Sequence, residues 1–288
     1  MPAALLLLRG HVFRNGSKST DPWVQVSTNC HDSTIQREQH QAFLSHLAFA
    51  AELRKTHSVT VVLHTYEQVG GCAQVLRTML GGINQSSGAT LNARIVQHDL
   101  NQVRGQGSLW RAAFNTPIWA SRDSALSMEK NFDVAIVLRA DVRLRHGGEL
   151  AHDLLSSWND RRHLHARNVT AIFASPFGGN RESLLQLENL RPGQELEPYQ
   201  RKFHCTSHAR LFSPTPWVVD QIHLVPRGLF HLARAFFFGH EATECLRERG
   251  FDFRFLTSRC RFHRLAYKRS VSLRLQHNLN ECPSACTL

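Results

Sequence analysis

Apolar and polar positions change their period several times along the chain, which separates strand candidates from helix candidates. Residues 4–8 form a continuous apolar run, and residues 33–56 place apolar side chains at helical spacing. Residues 57–67 then carry a run rich in β-branched side chains. Strand, helix and strand in this order form the βαβ unit from which parallel sheets are built.

The same alternation continues along the rest of the chain. We predict further strands at 89–99, 134–140, 169–177 and 217–226, and helices at 70–82, 109–131, 148–164 and after Pro226. Ser33 or Thr34 is expected to cap the first helix, and Pro117 to interrupt the third. Residues 180–202 read as a polar loop or insertion, and the Arg-rich segment after residue 253 stays unassigned. This order predicts a three-layer α/β/α sandwich around a mostly parallel sheet.

Polar side chains stand at the ends of three predicted strands. They are Arg9, Gly10 and His11 after the first strand, His64 and Thr65 at the end of the second, and Arg139 and Asp141 at the end of the strand at 134–140. Open α/β sheets bind ligands at the carboxyl ends of their strands. We therefore expect these three strand ends to face one crevice.

The Arg139–Asp141 step has two readings. Asp141 follows a strand that should be fully buried, and a carboxylate there can coordinate a divalent cation that in turn holds a diphosphate. Arg139 stands two residues earlier and can point the same way, with a guanidinium suited to phosphate or carboxylate. The alternative is a structural ion pair between Arg139 and Asp141 at the strand end.

The composition is that of an ordinary globular protein with an excess of basic residues. Hydrophobic residues make up 42% of the 288 residues and charged residues 20%, which predicts a real core. The net charge of +11 suits nucleic acid, anionic membranes or phosphate-bearing ligands, or it is spread over the surface. The basic segment at 161–167 lacks interleaved aromatic residues, so no nucleic-acid partner is expected.

Cysteines and apolar runs bear on the compartment. The seven cysteines are odd in number and widely spread, which predicts no disulfide framework, although Cys282 and Cys286 are close enough to pair. The apolar run near the start is short for a secretory signal, and no stretch approaches the ~20 residues needed to span a bilayer. We expect a soluble chain of the cytoplasm or of the secretory-pathway lumen (Golgi). Three glycosylation sequons, at Asn15, Asn84 and Asn168, weakly favour a lumenal location.

Two Cys-x-x-His steps offer a rival chemistry. They are Cys205 with His208 and Cys260 with His263, a set that can bind zinc tetrahedrally. With 18 histidines and seven cysteines in the chain, chance pairings of this kind are expected. Zinc and a metal-assisted hydrolase therefore remain minor alternatives.

Four short motifs resemble a poorly characterised group of glycosyltransferase-like proteins. The motifs are "LLLLRGHVF", "VVLHTYE", "NFDVAIVLRADVRL" and "VVDQIHLVP", which occur in that order between residues 5 and 225. The group looks like nucleotide-diphospho-sugar transferases of the GT-A kind, so the resemblance implies a Rossmann-like sheet in a single catalytic domain over 1–288. Its nucleotide-binding half would be 1–145, its acceptor-side half 146–270 and its tail 271–288.

The resemblance also implies roles for residues. The "R-x-D" step falls on Arg139 and Asp141, where better-known GT-A enzymes carry an Asp-x-Asp metal motif, and Ala140 replaces the proline common in the group. Asp141 would then be the metal ligand for Mn²⁺ or Mg²⁺, although a single carboxylate puts that metal dependence in doubt. The "Asp-Gln" pair falls on Asp220, implied as the catalytic base or acceptor-binding group, and on Gln221 at the donor.

The implied reaction is transfer of a sugar from a nucleotide-diphospho-sugar donor to a glycan or other hydroxyl acceptor. Such a reaction expels a diphosphate, which needs positive charge, and requires a base for the acceptor hydroxyl. Arg9 and Arg139 are candidates for the positive charge. The implied catalytic residues are Asp220 and Asp141. The implied donor- and nucleotide-binding residues are the polar residues of the three strand ends together with Gln221: Arg9, Gly10, His11, His64, Thr65, Arg139 and Gln221. The alternative from another class is a non-catalytic basic α/β module that binds polyanions or phosphorylated ligands. The sequence does not predict the oligomeric state.

Overall fold

The structure is a computed structural model that describes part of the chain. The described residues are 1–14, 29–68, 70–86, 91–103, 105–116, 128–144, 147–159, 170–175, 217–235, 237, 253–257 and 262–264. The predicted polar loop at 180–202, Pro117, the tail, and Cys205, His208 and Cys260 of the Cys-x-x-His steps lie outside them. Among the helices in these ranges, none combines the length and the apolar character that crossing a membrane requires.

Within the described ranges, seven strands form one sheet and two more form a small second sheet. The strands are β1 (Ala3–Arg9), β2 (Ser58–Tyr66), β3 (Arg94–His98), β4 (Val134–Arg139), β5 (Val142–Leu144), β6 (Thr170–Ser175), β7 (Trp217–Pro226), β8 (Phe253–Thr257) and β9 (Phe262–Arg264). The large sheet has the order β3-β2-β1-β4-β7-β6-β8, and β5 pairs with β9. β8 and β9 come from the segment that the sequence left unassigned.

The large sheet is mostly parallel, as predicted. β1 pairs in parallel with β2 and with β4, β2 with β3, and β6 with β8. β7 alone among these strands runs against its neighbours, antiparallel to β4 on one side and to β6 on the other. β7 is thus inserted in reverse into an otherwise parallel sheet.

Helices cover both faces of the sheet. They are α1 (Ser33–Arg54), α2 (Cys72–Ser86), α3 (Gly105–Asn115), α4 (Met128–Asn131), α5 (Gly147–Asn159) and α6 (Phe230–Ala235), with a 3₁₀ turn at Arg227–Leu229. The predicted helix at 109–131 is represented by α3 and α4, which lie on either side of residues outside the described ranges. Pro226 closes β7 just before the 3₁₀ turn and α6.

The alternation of side chains along β1 divides the core into two parts. Leu6 and Leu8 pack in a cluster with α1, α2 and α5, whereas Leu5 and Leu7 pack in a cluster with α3, α4 and α6. All four leucines are fully buried because helices cover both faces of their strand. The three-layer α/β/α sandwich predicted from the sequence is therefore confirmed.

The strand order creates a switch point between β1 and β4. From β1 the chain moves outward through β2 to β3, and it then returns to place β4 on the other side of β1. In open α/β sheets the crevice outside the strand ends at such a point is the usual ligand site. Arg9 ends β1 and Arg139 ends β4, so both residues stand at this switch point.

Two local features differ from the predictions. α1 is capped by Asp32, whose side chain accepts hydrogen bonds from the backbone N–H groups of Thr34 and Ile35. The cap falls one residue before Ser33 because an aspartate carboxylate also satisfies the free N–H groups of the first turn. The structure also contains a disulfide that the sequence did not predict, since Cys30 and Cys72 are bonded across 42 residues of sequence.

Candidate active site at the switch point

A row of basic side chains crosses the sheet at the carboxyl ends of three strands. Arg9 of β1 is in register with His64 of β2 on one side and with Arg139 of β4 on the other. Residues in register on neighbouring strands project from the same face of a sheet. All three side chains are buried. The expected convergence of the three predicted strand ends is thus observed for these residues.

Asp141 is held by two guanidinium groups. Arg139 donates from Nε to Oδ1 at 2.7 Å and from an Nη to Oδ2 at 2.5 Å, a bidentate pair inside the protein. Arg14 donates to Oδ2 at 3.3 Å and is partly exposed. Asp141 itself is only 1% exposed. The structural ion pair foreseen as the alternative therefore exists, and Arg14 extends it toward the surface.

The backbone of β1 turns sharply beside this carboxylate. Gly10 has a φ of +129°, a backbone conformation that residues with a side chain rarely adopt. A Cβ atom at this position would lie 3.6 Å from Oδ1 of Asp141. Gly10 N–H donates to the carbonyl of His64, and Ala140 N–H donates to the carbonyl of Arg9. These bonds continue the sheet ladder past the strand ends and hold the three loops together.

Aromatic side chains face the guanidinium of Arg9. Its central carbon lies 5.4 Å from the ring centroid of Trp110 on α3 and 5.1 Å from that of Phe237. Such cation–π contacts favour a buried guanidinium over a buried ammonium, because the planar group can lie against the rings. The indole N–H of Trp110 donates to the carbonyl of Ala233, which fixes the ring.

Histidines line the β2 side of the site in neutral form. Burial, followed by the neighbouring His98, lowers the pKa of His64 to about 3. The two rings are stacked, with Nδ1 of His64 3.0 Å from Nε2 of His98. His11 stacks on Tyr66 at 4.2 Å, and burial, followed by the charge of Arg14, lowers its pKa to about 4. These rings therefore offer uncharged hydrogen-bonding nitrogens beside the arginines.

Among the described residues, three buried polar atoms at these strand ends have no hydrogen-bond partner: Nδ1 of His11, Nε2 of His64 and Oγ1 of Thr65. Buried polar groups nearly always have a hydrogen-bond partner. Unpaired ones at a strand end are therefore candidates for hydrogen bonds to a ligand. Successive side chains of a strand project from opposite faces, so Thr65 projects from the face of β2 opposite to that of His64, Arg9 and Arg139. Of the predicted donor-site residues at the three strand ends, the structure thus brings together Arg9, Gly10, His11, His64 and Arg139.

The backbone also brings Asp220 and Gln221 to this edge. β7 runs antiparallel to β4 with Ile222 opposite Leu138, so the residues that precede Ile222 lie beside the continuation of β4 into Arg139 and Ala140. The backbone of the predicted pair therefore lies on the far side of β4 from the switch point between β1 and β4. The catalytic role of Asp220 and the donor contact of Gln221 remain predictions.

The described surroundings of Asp141 do not fit a divalent cation. Both carboxylate oxygens accept hydrogen bonds from guanidinium groups, and a metal would have to displace these donors while lying close to their positive charges. Asp141 is thus better placed to orient Arg139 and Arg14 than to ligate Mn²⁺ or Mg²⁺. A second metal-like group, Cys30 with Cys72 and the exposed His31, has both its sulfurs in the disulfide.

Sequence reasoning missed four residues that the fold places here. Arg14, Tyr66, His98 and Gln39 contact the predicted residues or bridge their loops. His98 and Tyr66 stand at the ends of predicted strands, so the strand-end rule was a usable signal for both. Arg14 lies in a loop and Gln39 in the middle of α1, where only the tertiary structure brings them to the site.

Comparisons with known proteins add a likeness to solved structures. No protein-family model and no curated protein matches the chain. A CMP:2-keto-3-deoxy-manno-octonic acid synthetase bound to CTP aligns at 10% identity and a TM-score of 0.41, over 88% of this chain and 89% of that one. A 4-diphosphocytidyl-2C-methyl-D-erythritol synthase aligns at 13% and 0.42, over 93% and 94%.

A galactosyltransferase in complex with donor and acceptor sugar analogues aligns at 8% identity and a TM-score of 0.38, over 89% of this chain and 74% of that one. At these identities and TM-scores, the similarity assigns neither a reaction nor a substrate to this chain.

Proposed function

We propose that this chain is a glycosyltransferase that moves a sugar from a nucleotide-diphospho-sugar donor to a hydroxyl acceptor. The observation that carries the proposal is the pairing of Arg14 and Arg139 with the Asp141 carboxylate at the switch point of the sheet, where Arg9 is in register with Arg139. A diphosphate is the group that such a cluster suits best, because guanidinium groups match phosphate oxygens in both charge and geometry.

In the proposed reaction an acceptor hydroxyl oxygen attacks the anomeric carbon of the donor sugar. A new glycosidic bond forms, and the bond from the anomeric carbon to the donor phosphate breaks with its electron pair leaving on the diphosphate. The guanidinium groups stabilise the charge that develops on this leaving group, and they do so most strongly in a site shielded from water. Arg14, partly exposed, is the guanidinium best placed to contact the diphosphate.

The acceptor proton needs a base, and Asp220 is the proposed one. Its place on β7, two residues before Ile222, which pairs with Leu138 of β4, supports this role. A base must stand within hydrogen-bond reach of the acceptor oxygen. Asp220→Asn should therefore lower turnover sharply while donor affinity is kept.

The proposed mechanism assigns leaving-group stabilisation to arginine. Asp141 holds Arg139 by two hydrogen bonds and Arg14 by one, so its task would be to orient these cations. The proposed mechanism uses no divalent cation, because the guanidinium groups that donate hydrogen bonds to Asp141 do not fit one. Donor binding should accordingly persist in excess EDTA.

Calorimetric titration with UDP, GDP, CMP and inorganic pyrophosphate tests the proposal. A nucleoside diphosphate should bind selectively, and Arg14→Gln should weaken it at least about tenfold, the scale of a lost charge-assisted hydrogen bond. Arg227→Gln is the matched control, since Arg227 pairs with Asp133 next to the amino end of β4. Product analysis with UDP-sugar and GDP-sugar panels then identifies the transferred sugar.

The titration also separates the rivals. Equal binding of any polyanion with a steep loss in salt would overturn the enzyme proposal in favour of a basic binding module. Release of pyrophosphate from a nucleoside triphosphate and a sugar phosphate would instead reveal a nucleotidyltransferase.

We also propose that the chain works in an oxidising compartment such as the secretory-pathway lumen. Support comes from the Cys30–Cys72 disulfide, because such bonds are rare where glutathione keeps thiols reduced. Mass spectrometry of the protein alkylated directly in its native cells would detect the linked peptides, and free thiols at both positions would contradict the proposal.

A further inference from the structure

Gln39 connects the loop that carries Arg14 with the loop that carries Asp141. It lies within α1, is 2% exposed, and its side-chain amide uses both ends. Oε1 accepts from the backbone N–H of Phe13 at 3.1 Å, and Nε2 donates to the backbone carbonyl of Ala140 at 2.9 Å. We infer that Gln39 is a positioning residue that sets the geometry of the diphosphate site, an inference that rests on the proposed function.

Each hydrogen bond of the Gln39 side chain is made to the residue that precedes a member of the Arg14–Asp141 pair. Phe13 immediately precedes Arg14, and Ala140 immediately precedes Asp141. Arg14 and Asp141 then contact each other at 3.3 Å. A single side chain therefore fixes the peptides next to both members of this pair, although it touches neither of them through the bonds described.

The loop after β1 needs such a support. Phe13 has a φ of +53°, in the left-handed region that is uncommon for a residue with a large side chain. Phe13 is also fully buried, so its N–H has no access to water if the bond to Gln39 is lost. The hydrogen bond to Oε1 of Gln39 thus stabilises a left-handed backbone conformation at Phe13 that is otherwise unfavourable.

Ala140 is held from both sides. Its N–H donates to the carbonyl of Arg9 at 2.7 Å, and its own carbonyl accepts from Gln39. The first bond ties β4 to β1, and the second ties β4 to α1. The peptide that leads into Asp141 is therefore fixed in orientation, which aims the carboxylate at Arg139 and Arg14.

The chemistry requires an amide of this length. A glutamine can accept at one atom and donate at another at once, whereas a carboxylate only accepts and a thioether does neither well. Gln39→Met keeps the length and the burial but leaves the Phe13 N–H and the Ala140 carbonyl unpaired. Gln39→Glu keeps the acceptor for Phe13 but places a carboxylate oxygen against the Ala140 carbonyl.

The experiment compares Gln39→Met with Gln36→Met. Gln36 lies one turn earlier in α1, and its amide donates to the carbonyl of Cys30 instead of bonding to Phe13 or Ala140. We expect Gln39→Met to weaken nucleoside-diphosphate binding about tenfold per folded molecule, while Gln36→Met leaves affinity within about twofold. Thermal denaturation checks the folded fraction of each variant.

A double-mutant cycle with Arg14→Gln separates positioning from a general loss of structure. If Gln39 acts through Arg14, the Gln39→Met change should cost no more than about twofold once Arg14 is removed. A tenfold cost in both backgrounds would overturn the inference, because the effect would not depend on Arg14. Equal affinity of Gln39→Met and the unchanged protein would overturn it as well.

Hydrogen exchange provides a readout that needs no ligand. The Phe13 amide should be protected in the unchanged protein and should exchange at least about tenfold faster in Gln39→Met, but not in Gln36→Met. Unchanged protection in Gln39→Met would overturn the positioning role even if diphosphates bind. Faster exchange together with no nucleotide binding by the unchanged protein would support the link between the loops and overturn the proposed function.

Discussion

Lowering the pH from 7.5 to 5 should destabilise the folded protein by about 6 kcal/mol, through three buried histidines. Burial lowers the pKa from 6.5 to about 4 for His11 and for His46, and to about 3 for His64. His46 is fully buried in α1 near Val142 of β5, and His64 is fully buried in β2. All three are therefore neutral in the folded protein at pH 5.

The sign of the effect follows from where each state binds protons. In the unfolded chain these histidines titrate near 6.5, so at pH 5 the unfolded chain binds protons that the folded chain excludes. Their contribution to stability is present above about pH 6.5 and is lost as the pH falls toward the folded values of about 4 and 3. Each histidine loses about 2 kcal/mol over the 1.5 pH units between 6.5 and 5.

Urea unfolding at a series of pH values measures this loss through tryptophan fluorescence. The work should be done in 0.3 M NaCl, because the net charge of +11 also grows in acid and salt screens that long-range repulsion. His11→Phe keeps a ring against Tyr66 but cannot titrate, so about one third of the pH dependence should disappear. A free energy of unfolding that changes by less than about 1 kcal/mol between pH 7.5 and 5 would refute the reasoning.

Three further predictions concern the frame of the site. Gly10→Ala should destabilise the protein by ~1–3 kcal/mol, measured by urea unfolding, because φ is +129° there while the space for a Cβ is adequate; an unchanged midpoint would show that the loop relaxes freely. Asp141→Asn should cost ~3–5 kcal/mol in the same assay, because buried Arg139 loses its carboxylate; a loss below about 1 kcal/mol would contradict that. Replacing Cys30 and Cys72 together by serine should cost about 4 kcal/mol, the chain-entropy value for a 42-residue span. Added reductant should shift the unfolding midpoint of the unchanged protein but not that of the double variant.

Much of the sheet could be predicted because its strands are buried on both faces. β1, β2 and β4 appear in the sequence as continuous apolar runs that end in polar residues, and the structure places the ends of these three strands in one row. The α1 cap was misplaced by one residue, since Asp32, Ser33 and Thr34 are all capable of capping. β8 and β9 were not predicted, because short strands in an Arg-rich segment carry little periodic signal.

The disulfide illustrates a different limit. Cys30 and Cys72 are far apart in sequence, and an odd number of cysteines gives no rule for pairing them. Their bond depends on the packing that brings the start of α1 against the start of α2. A pairing of this kind is a property of the tertiary structure and not of the spacing.

The amino-acid sequence by itself determined the α/β class, the parallel sheet and the polar strand ends, because local periodicity reports burial and burial on both faces defines a central strand. Only the tertiary structure decided what the Arg139–Asp141 step does. It brought Arg14 to Asp141 from a loop 127 residues away, and it brought Gln39 from α1 to join the two loops. The physical reason is that a carboxylate's role is set by the charges and donors around it, and here those groups come from distant parts of the chain.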